Sequence, residues 1–232
     1  MNKLLKKFET KKLHYGRFLY KVVVRSPLAS VFRTEMQRNG KLSYARSQID
    51  SYKLSAKLGL PLKKTTWRSE LHLDSNDITD ADKICRLLLH SKEYLVRCEY
   101  NTLIIYSNDK KLLTTISKFE IAEEFWEPDT ASIKYLQSNA NIILSDKKTN
   151  FPIKLTFGQK TAKRSMGTWL QNNTDKARCG PVLMKNFLNR ERWIKGQYIF
   201  VRDEKVLFMV QLICGDNITR IDKIVYKEDI DK

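Results

Sequence analysis

The chain has 232 residues, of which 42% are hydrophobic, and 43 lysines and arginines against 26 acidic residues produce a formal net charge of +17. This composition is sufficient for the packed core of one large or two small domains and excludes a disordered tail. No apolar run is long enough to cross a bilayer or to form a signal peptide, so we expect an intracellular protein, cytoplasmic or within a viral particle, without a membrane partner.

Residues 1–64 carry a net charge of +13 and are predicted to form a strand followed by two helices. Alternating apolar residues from Arg17 to Arg25 predict the strand. Ser26-Pro27 marks the start of the first helix, which is expected to end at Asn39-Gly40. The second helix is expected over Ser43–Leu58. The lysine-rich start of the chain fits a short helix and a frayed terminus equally well.

Basic side chains are expected on the outer surface of this first segment. Arg46, Lys53 and Lys57 are separated by seven and four residues, so they lie along one side of the second helix. Their reversal to Glu should weaken phosphate binding without unfolding the protein. Two successive helices also fit a helix-turn-helix motif, but their connection is generic, and a helical pair packed on a sheet is favoured. The candidate phosphate contacts here are Arg33, Arg38, Arg46, Lys53, Lys57, Lys63 and Lys64.

Residues 65–148 carry a net charge of −3 and show six elements in alternating order. Period-two alternation predicts strands over Trp67–Leu73 and Ile121–Trp126. Between them, two apolar runs that meet at Asn101 predict a hairpin, with Asn101 at positive φ and a helix on each side. The first of these helices is expected to begin near Thr79, three residues before a carboxylate. The order β-α-β-β-α-β is typical of a ferredoxin-like unit, which places the protein in the α+β class.

The third predicted domain, residues 149–232, begins within the polar stretch Asp146–Asn150. A strand is predicted over Phe151–Phe157, and Pro152 indicates that it lies at a sheet edge. Lys160–Lys195 holds nine basic and two acidic residues, which accounts for the net +7 of the chain after residue 150. The candidate phosphate contacts in this domain are Lys160, Lys163, Arg164, Lys176, Arg178, Arg190 and Arg192.

The end of the chain is predicted to be an antiparallel β-meander, with one or two helices elsewhere in the domain. Gln197–Arg202 and Val206–Ile213 are apolar, β-branched and aromatic runs separated by charged residues. The second run is apolar on both faces, as expected of a covered central strand. Ile218–Tyr226 is predicted as the third strand, although its apolar spacing would also suit a helix.

The sequence contains no motif for nucleotide hydrolysis or metal binding, so we expect no cofactor and no metal. Only eight glycines are present, none in a phosphate-binding pattern, and three histidines and four cysteines form no H-E-x-x-H or C-x-x-C. The cysteines are expected to be reduced core thiols. Carboxylates cluster between Glu120 and Asp129, but neighbouring strand positions point to opposite faces, so a solvated acidic edge is favoured over a magnesium site.

Aromatic residues are interleaved with the positive charge near the end of the chain. Trp169 and Trp193 are candidates for stacking on bases, although core packing is the favoured interpretation for both. The predicted strand Leu103–Asn108 lacks the aromatic and glycine signature of RNA-recognition modules, and Tyr106 is its only aromatic residue.

These patterns favour a non-catalytic protein whose two basic flanks contact the phosphates of DNA or RNA. Because +13 exceeds +7, the N-terminal flank is expected to contribute more of the attraction. The alternative is an interaction or assembly subunit of a viral particle or a larger nucleoprotein machine, with acidic protein partners. An enzyme is the third and least favoured hypothesis, and the sequence leaves the oligomeric state open.

Overall fold

The computed structural model describes residues 4–33, 42–65, 70–160, 163–189 and 193–230. These residues form a mixed α+β structure, as the sequence predicts. The helices are α1 (Ser43–Lys57), α2 (Ser75–Leu89), α3 (Lys110–Ser117), α4 (Ile133–Ser138), α5 (Arg164–Asn172), α6 (Pro181–Leu188) and α7 (Glu204–Cys214). The strands are β1 (Lys6–Glu9), β2 (Tyr20–Arg25), β3 (Lys63–Thr65), β4 (Glu70–His72), β5 (Tyr94–Glu99), β6 (Thr102–Ser107), β7 (Ala122–Glu127), β8 (Ile142–Ser145), β9 (Ile153–Phe157), β10 (Ala177–Cys179), β11 (Tyr198–Val201) and β12 (Ile218–Tyr226).

The chain divides into two compact units, residues 1–133 and residues 134–232. Each unit contains one five-stranded mixed sheet. β8 precedes the domain boundary predicted at residue 149, yet it pairs in parallel with β12 in the second unit. Within the described ranges, no helix combines the length and the apolar character that a membrane crossing requires.

The first sheet has the strand order β1-β7-β2-β6-β5. β2 pairs antiparallel with β7 and β6, β6 pairs antiparallel with β5, and β1 adds to β7 in parallel. Alternation along β2 and β6 places Val22, Val24, Leu103 and Ile105 on one face, where all four are fully buried. α3 packs on the sheet against β2, β6 and β7.

The described part of the predicted strand Trp67–Leu73 does not pair with this sheet. Residues 66–69 lie outside the described ranges, and β4 pairs with β3 in a separate two-stranded ribbon. The position next to β6 and β7 belongs to β2 instead. Both faces of this sheet are covered, which favours a central strand that is apolar on both sides, and Val22, Val23 and Val24 are all buried, whereas β4 is short and mostly exposed.

The N-terminal helices agree only partly with the sequence prediction. The lysine-rich start forms β1 instead of a helix. After Pro27 the chain makes a 3₁₀ turn over Ala29–Phe32, and residues 34–41, which contain the predicted helix end at Asn39-Gly40, lie outside the described part of the chain. The second predicted helix is confirmed as α1, and Gly59 follows it with a φ of 66°.

Two local details of the central elements differ from expectation. α2 begins about one turn before Thr79, because Asp74 and Asp77 form a capping box in which the Asp77 N–H donates to Asp74 Oδ1 at 2.8 Å. The hairpin of β5 and β6 is confirmed, but Tyr100 has the positive φ, 53°, and Asn101 does not. The Asn101 carbonyl accepts from the Ser26 N–H at 2.8 Å, which fixes this turn.

The second sheet has the strand order β10-β11-β9-β12-β8, with β8 parallel to β12 and the other pairs antiparallel. β9 is therefore the middle strand, and the prediction of an edge strand is wrong. Pro152 lies just before β9, so its missing N–H interrupts no pairing within the strand. Its carbonyl accepts from the Ile224 N–H at 2.6 Å.

The prediction of a C-terminal β-meander is also wrong, because residues 206–213 lie in α7, between β11 and β12. The Asp203 carboxylate accepts from the Val206 N–H at 2.9 Å and caps the helix. Val206, Val210 and Cys214 then recur at intervals of four and are buried. A run that is apolar at seven of its eight positions, as residues 206–213 are, carries no periodicity that separates a helix from a covered strand.

α5, α6 and α7 cover one face of the second sheet, where Leu155, Phe157, Ile199 and Val201 are buried with helix side chains. Close packing of α5 on α6 depends on Gly167, since a Cβ there would lie 3.0 Å from the Cβ of Phe187. Alternate residues of the same strands point to the opposite face, and they form the candidate site.

Candidate nucleic-acid interface

The predicted strip of Arg46, Lys53 and Lys57 lies along α1, but two of its three cations are paired. Lys53 Nζ is 2.6 Å from the Asp82 carboxylate of α2 and 3.8 Å from Asp50. Arg46 Nε is also 3.8 Å from Asp50. Lys57 is exposed, and no ion pair joins it to another described residue. The strip therefore links α1 to α2 in addition to presenting positive charge.

Arg33, Lys63 and Lys64 are engaged within the first unit. Arg33 Nη2 donates to the Cys98 carbonyl at 2.9 Å, and Lys64 Nζ donates to the Pro27 carbonyl. Burial lowers the pKa of the Lys64 ammonium. Cys98 raises this pKa, and the nearby Arg33 lowers it further. Lys63 Nζ lies 2.9 Å from a glutamate of β4. These three side chains hold local structure together.

Three C-terminal candidates are held by contacts in the second unit. Lys160 pairs with Asp216, and its hydrogen bond lowers the pKa of that carboxyl. Lys163 Nζ donates at 2.7 Å to the Ile213 carbonyl in the last turn of α7, where a cation is favoured. Lys176 Nζ donates at 2.9 Å to an asparagine side chain after α5.

The remaining basic candidates differ in their placement. Arg164 is exposed at the first position of α5, and Arg178 is exposed on β10. Arg38, Arg190 and Arg192 lie outside the residues that the structure describes.

The two candidate stacking tryptophans have different surroundings. Trp169 is partly buried against the core of the second unit, which agrees with core packing. Trp193 is 79% exposed. Its carbonyl accepts from the Asn186 and Gln197 side chains at 3.1 and 2.8 Å, so its backbone is held while the ring faces solvent.

The carboxylates of β7 are paired with cations. Glu127 lies 2.8 Å from Lys110, and Glu124 accepts from the Trp126 indole at 2.9 Å and lies 3.9 Å from Lys21. Among the described residues, no group of three histidine, cysteine or acidic side chains could hold a metal ion.

The second face of the first sheet is an aromatic cluster that its own chain covers. Phe8 stacks on Trp126 with ring centroids 4.6 Å apart. Tyr106 is only 7% exposed, because His14 and Tyr15 pack on it at 5.3 and 5.1 Å. Burial raises the pKa of Tyr106 to about 12. Tyr106, the single aromatic of this strand, is therefore not open to a base.

The second face of the second sheet carries aromatic and basic side chains that remain accessible. Strand register aligns Arg178, Phe200 and Lys154 across β10, β11 and β9. Tyr198, two residues before Phe200 on the same face, is 44% exposed, and the two rings are 5.3 Å apart in an edge-to-face arrangement.

Two of these cations lie directly over aromatic rings. Lys154 Nζ is 3.8 Å from the centroid of Tyr198, and Arg178 Cζ is 4.5 Å from the centroid of Phe151. Phe151 is buried, so it supports the Arg178 guanidinium from below while Arg178 itself stays exposed. The arrangement holds both positive charges close to the sheet surface.

Arg178 and the aromatic rings line a cavity of about 520 Å³, which we call the sheet groove, and Lys154 lies next to it over the Tyr198 ring. Its walls include Phe151, Arg178, Cys179, Tyr198, Phe200 and Ile224. An adjoining cavity of about 250 Å³, the lysine pocket, contains Lys147 and Lys148 and shares Ile224 with the groove. Burial raises the pKa of the Cys179 thiol, which makes it a poor nucleophile.

Of the predicted site residues that the structure describes, the sheet groove contains Arg178 alone. Lys154, Tyr198 and Phe200 were not predicted as site residues. The alternation Tyr198-Ile199-Phe200-Val201 shows in the sequence that the two aromatics share a face. Which face the helices cover follows only from the packing of α5, α6 and α7.

Comparison of the chain with protein-family models, with curated proteins and with solved structures produces no match. The chemistry of the protein's own surfaces is therefore what indicates its function. Among them, the sheet groove combines accessible rings with positive charge.

Proposed function

We propose that the protein binds nucleic acid without catalysing a reaction on it, and that basic residues of both units contact phosphates. The observation that carries this proposal is the row of Arg178, Phe200 and Lys154 across the open face of the second sheet, with the exposed ring of Tyr198 beside it. Cations neutralise phosphates and aromatic rings stack on bases, so both parts of a nucleotide find a partner on one surface.

The net charge of each unit supports nucleic-acid binding and favours the second unit as the main contact. Residues 134–232 carry 19 basic and 10 acidic residues, a net +9, whereas the longer unit 1–133 carries 24 and 16, a net +8. In the first unit Lys53 and Lys63 are paired with carboxylates. We therefore assign the main contact to the second unit, in contrast to the greater weight expected for the N-terminal flank.

For the first unit we propose a ferredoxin-like arrangement that begins with β2. Its support is the order β7-β2-β6-β5, in which each neighbouring pair is antiparallel. α1 and α2 lie between β2 and β5 in the chain, and α3 lies between β6 and β7, which gives the β-α-β-β-α-β order. Because this fold serves many functions, it adds no weight to nucleic-acid binding.

A salt titration tests the proposed function. The full chain is mixed with labelled DNA or RNA, single-stranded or duplex, and binding is followed by fluorescence anisotropy. We expect log K to fall linearly with log salt, by roughly 0.7 per neutralised phosphate on single strands and roughly 0.9 on duplex. The labelled DNA and RNA should remain uncut when Mg²⁺ is added, because the proposed function is non-catalytic. The proposal is rejected if the protein binds none of the four nucleic acids.

An assembly subunit is the second candidate, and the outer side of α7 favours it. Phe208, Met209 and Leu212 are 60%, 46% and 63% exposed there. Soluble monomers rarely expose large contiguous apolar patches, which often mark protein interfaces. Light scattering separates the candidates, since an assembly subunit forms large particles as concentration rises even without nucleic acid.

A further inference from the structure

The open face of the second sheet presents two rows of side chains. In one row, Arg178, Phe200 and Lys154 follow one another across β10, β11 and β9. In the next, Tyr198 lies beside Thr156. Five strands spaced about 4.8 Å apart make a surface roughly 19 Å wide. Such a surface is wide enough for more than one nucleotide.

The charge on this face is positive. Arg178 and Lys154 lie on it, and Lys147 and Lys148 line the lysine pocket. Strand register places the buried Asp222 beside Lys154, and Arg220 Nε lies 2.6 Å from its carboxylate. Asp146 lies 2.6 Å from Lys227 Nζ, and Asp229 also lines the lysine pocket. These six cations outnumber the three carboxylates. A polyanion is therefore the complementary occupant.

We infer that the sheet groove binds single-stranded nucleic acid, with a base stacked on Tyr198 and neighbouring phosphates on Arg178, Lys154 and the lysine pocket. This inference rests on the proposed function and names its site and substrate class. A duplex hides its base faces within the stack, whereas a single strand can turn them outward to an aromatic ring. The Lys154 ammonium lies over one face of the Tyr198 ring, so the base stacks on the opposite face, and the ammonium remains within reach of that nucleotide's phosphate.

Shape supports the same occupant. The groove and the lysine pocket are adjacent depressions that have Thr149 and Ile224 in common. A single closed pocket suits a free nucleotide, which buries most of its surface. Two adjacent depressions on one sheet face suit a chain that places successive nucleotides along it.

The test uses the full chain and labelled oligomers of about 12 nucleotides, within the site size of single-strand binding folds. Single-stranded DNA, single-stranded RNA and the matching DNA duplex are titrated at roughly 50 and 200 mM salt. We expect single-stranded DNA, single-stranded RNA or both to bind more tightly than the duplex. The single strand that binds more tightly shows whether the site prefers DNA or RNA. Equal or tighter binding of the duplex at both salts overturns the inference.

Variants then locate the site. Tyr198→Ala should weaken single-strand binding roughly tenfold, as loss of one stacked base predicts, without changing the salt slope. Tyr198→Phe keeps the ring and should bind like wild type. Arg178→Ala should reduce the magnitude of the slope by about 0.7, because one phosphate contact is lost. The matched controls are Tyr100→Ala and Lys205→Ala, an exposed ring and an exposed cation outside the groove, and Trp193→Ala tests the competing stacking candidate.

The outcomes separate this inference from the proposed function. If wild type binds no oligomer, both fail. If wild type binds in a salt-dependent manner but Tyr198→Ala and Arg178→Ala bind equally well, the groove is rejected while the function stands. Loss of binding in Trp193→Ala alone moves the stacking site to Trp193 and also rejects the groove. Competition by a free mononucleotide as strong as by the oligomer rejects a polynucleotide site. Circular dichroism confirms that each variant is folded.

Discussion

His14 is a partly buried titratable side chain whose surroundings oppose its charge. Its imidazole packs against Tyr106 and Trp126, and no described residue bonds its Nε2. Burial is the main cause that lowers its pKa from 6.5 to about 4, and the nearby cations Lys21 and Lys12 add to the shift. At neutral pH this histidine is therefore an uncharged aromatic member of the cluster.

The stability of the first unit should depend on this histidine in acid. Between pH 6.5 and 4, His14 is protonated in the unfolded chain but stays neutral in the folded chain. The stabilising contribution is thus complete above pH 6.5 and is lost as the pH falls toward 4. Urea unfolding of wild type and His14→Phe should show a wild-type free energy that falls by roughly 1–3 kcal/mol more than that of the variant over this range. Carboxylates titrate in both proteins, so a difference that stays constant with pH would contradict this account.

At the level of elements, the contact between α1 and α2 changes how the basic strip must be tested. From the sequence alone, reversal of Arg46, Lys53 and Lys57 is expected to leave the fold intact. Lys53, however, lies between Asp50 and Asp82, and its side chain is only 31% exposed. A lost nucleic-acid contact at this position would be confused with a lost contact between helices.

Lys53→Glu and Lys57→Glu should therefore differ. Lys53→Glu brings a third carboxylate against Asp50 and Asp82 and should lower the free energy of unfolding by about 1–2 kcal/mol. Lys57→Glu, at an exposed position of the same helix, should stay within about 0.5 kcal/mol of wild type. Urea unfolding measures both. Equal stability of the two variants would show that the Lys53 ion pairs contribute nothing.

At the level of the whole molecule, the place where the chain separates into units can be tested with fragments. β8 pairs with β12, and Ile142, Leu144 and the α4 residue Leu136 are buried, although all three precede the predicted boundary at residue 149. A fragment of residues 129–232 retains these contacts, whereas one of residues 149–232 loses them.

We expect the longer fragment to unfold cooperatively and the shorter one to be less stable by at least about 3 kcal/mol. Each buried aliphatic side chain contributes roughly 1.5–3 kcal/mol, and typical domain stability is only about 5–15 kcal/mol. Circular dichroism during urea unfolding measures the difference. Equal stability of the two fragments would support the boundary at residue 149.

The sequence alone determined the features that depend on local pattern. The α+β class, α1, the hairpin of β5 and β6, and the strand β12 follow from periodicity, capping residues and turn residues, which act over a few neighbouring positions. The strong positive charge is likewise a property of composition. By contrast, residues 206–213 are apolar at every position except Gln211, so their helix was not visible in the pattern.

Tertiary structure alone decided which strands are neighbours and which faces are covered. β2 takes the place predicted for Trp67–Leu73 because pairing between distant strands depends on burial of both faces, which no local window records. The same holds for the site. The sequence shows that Tyr198 and Phe200 share a face, but helices pack on the opposite side and leave those rings beside Lys154 and Arg178. Accessibility of a side chain depends on packing by residues far away in the chain, and sequence spacing contains no measure of it.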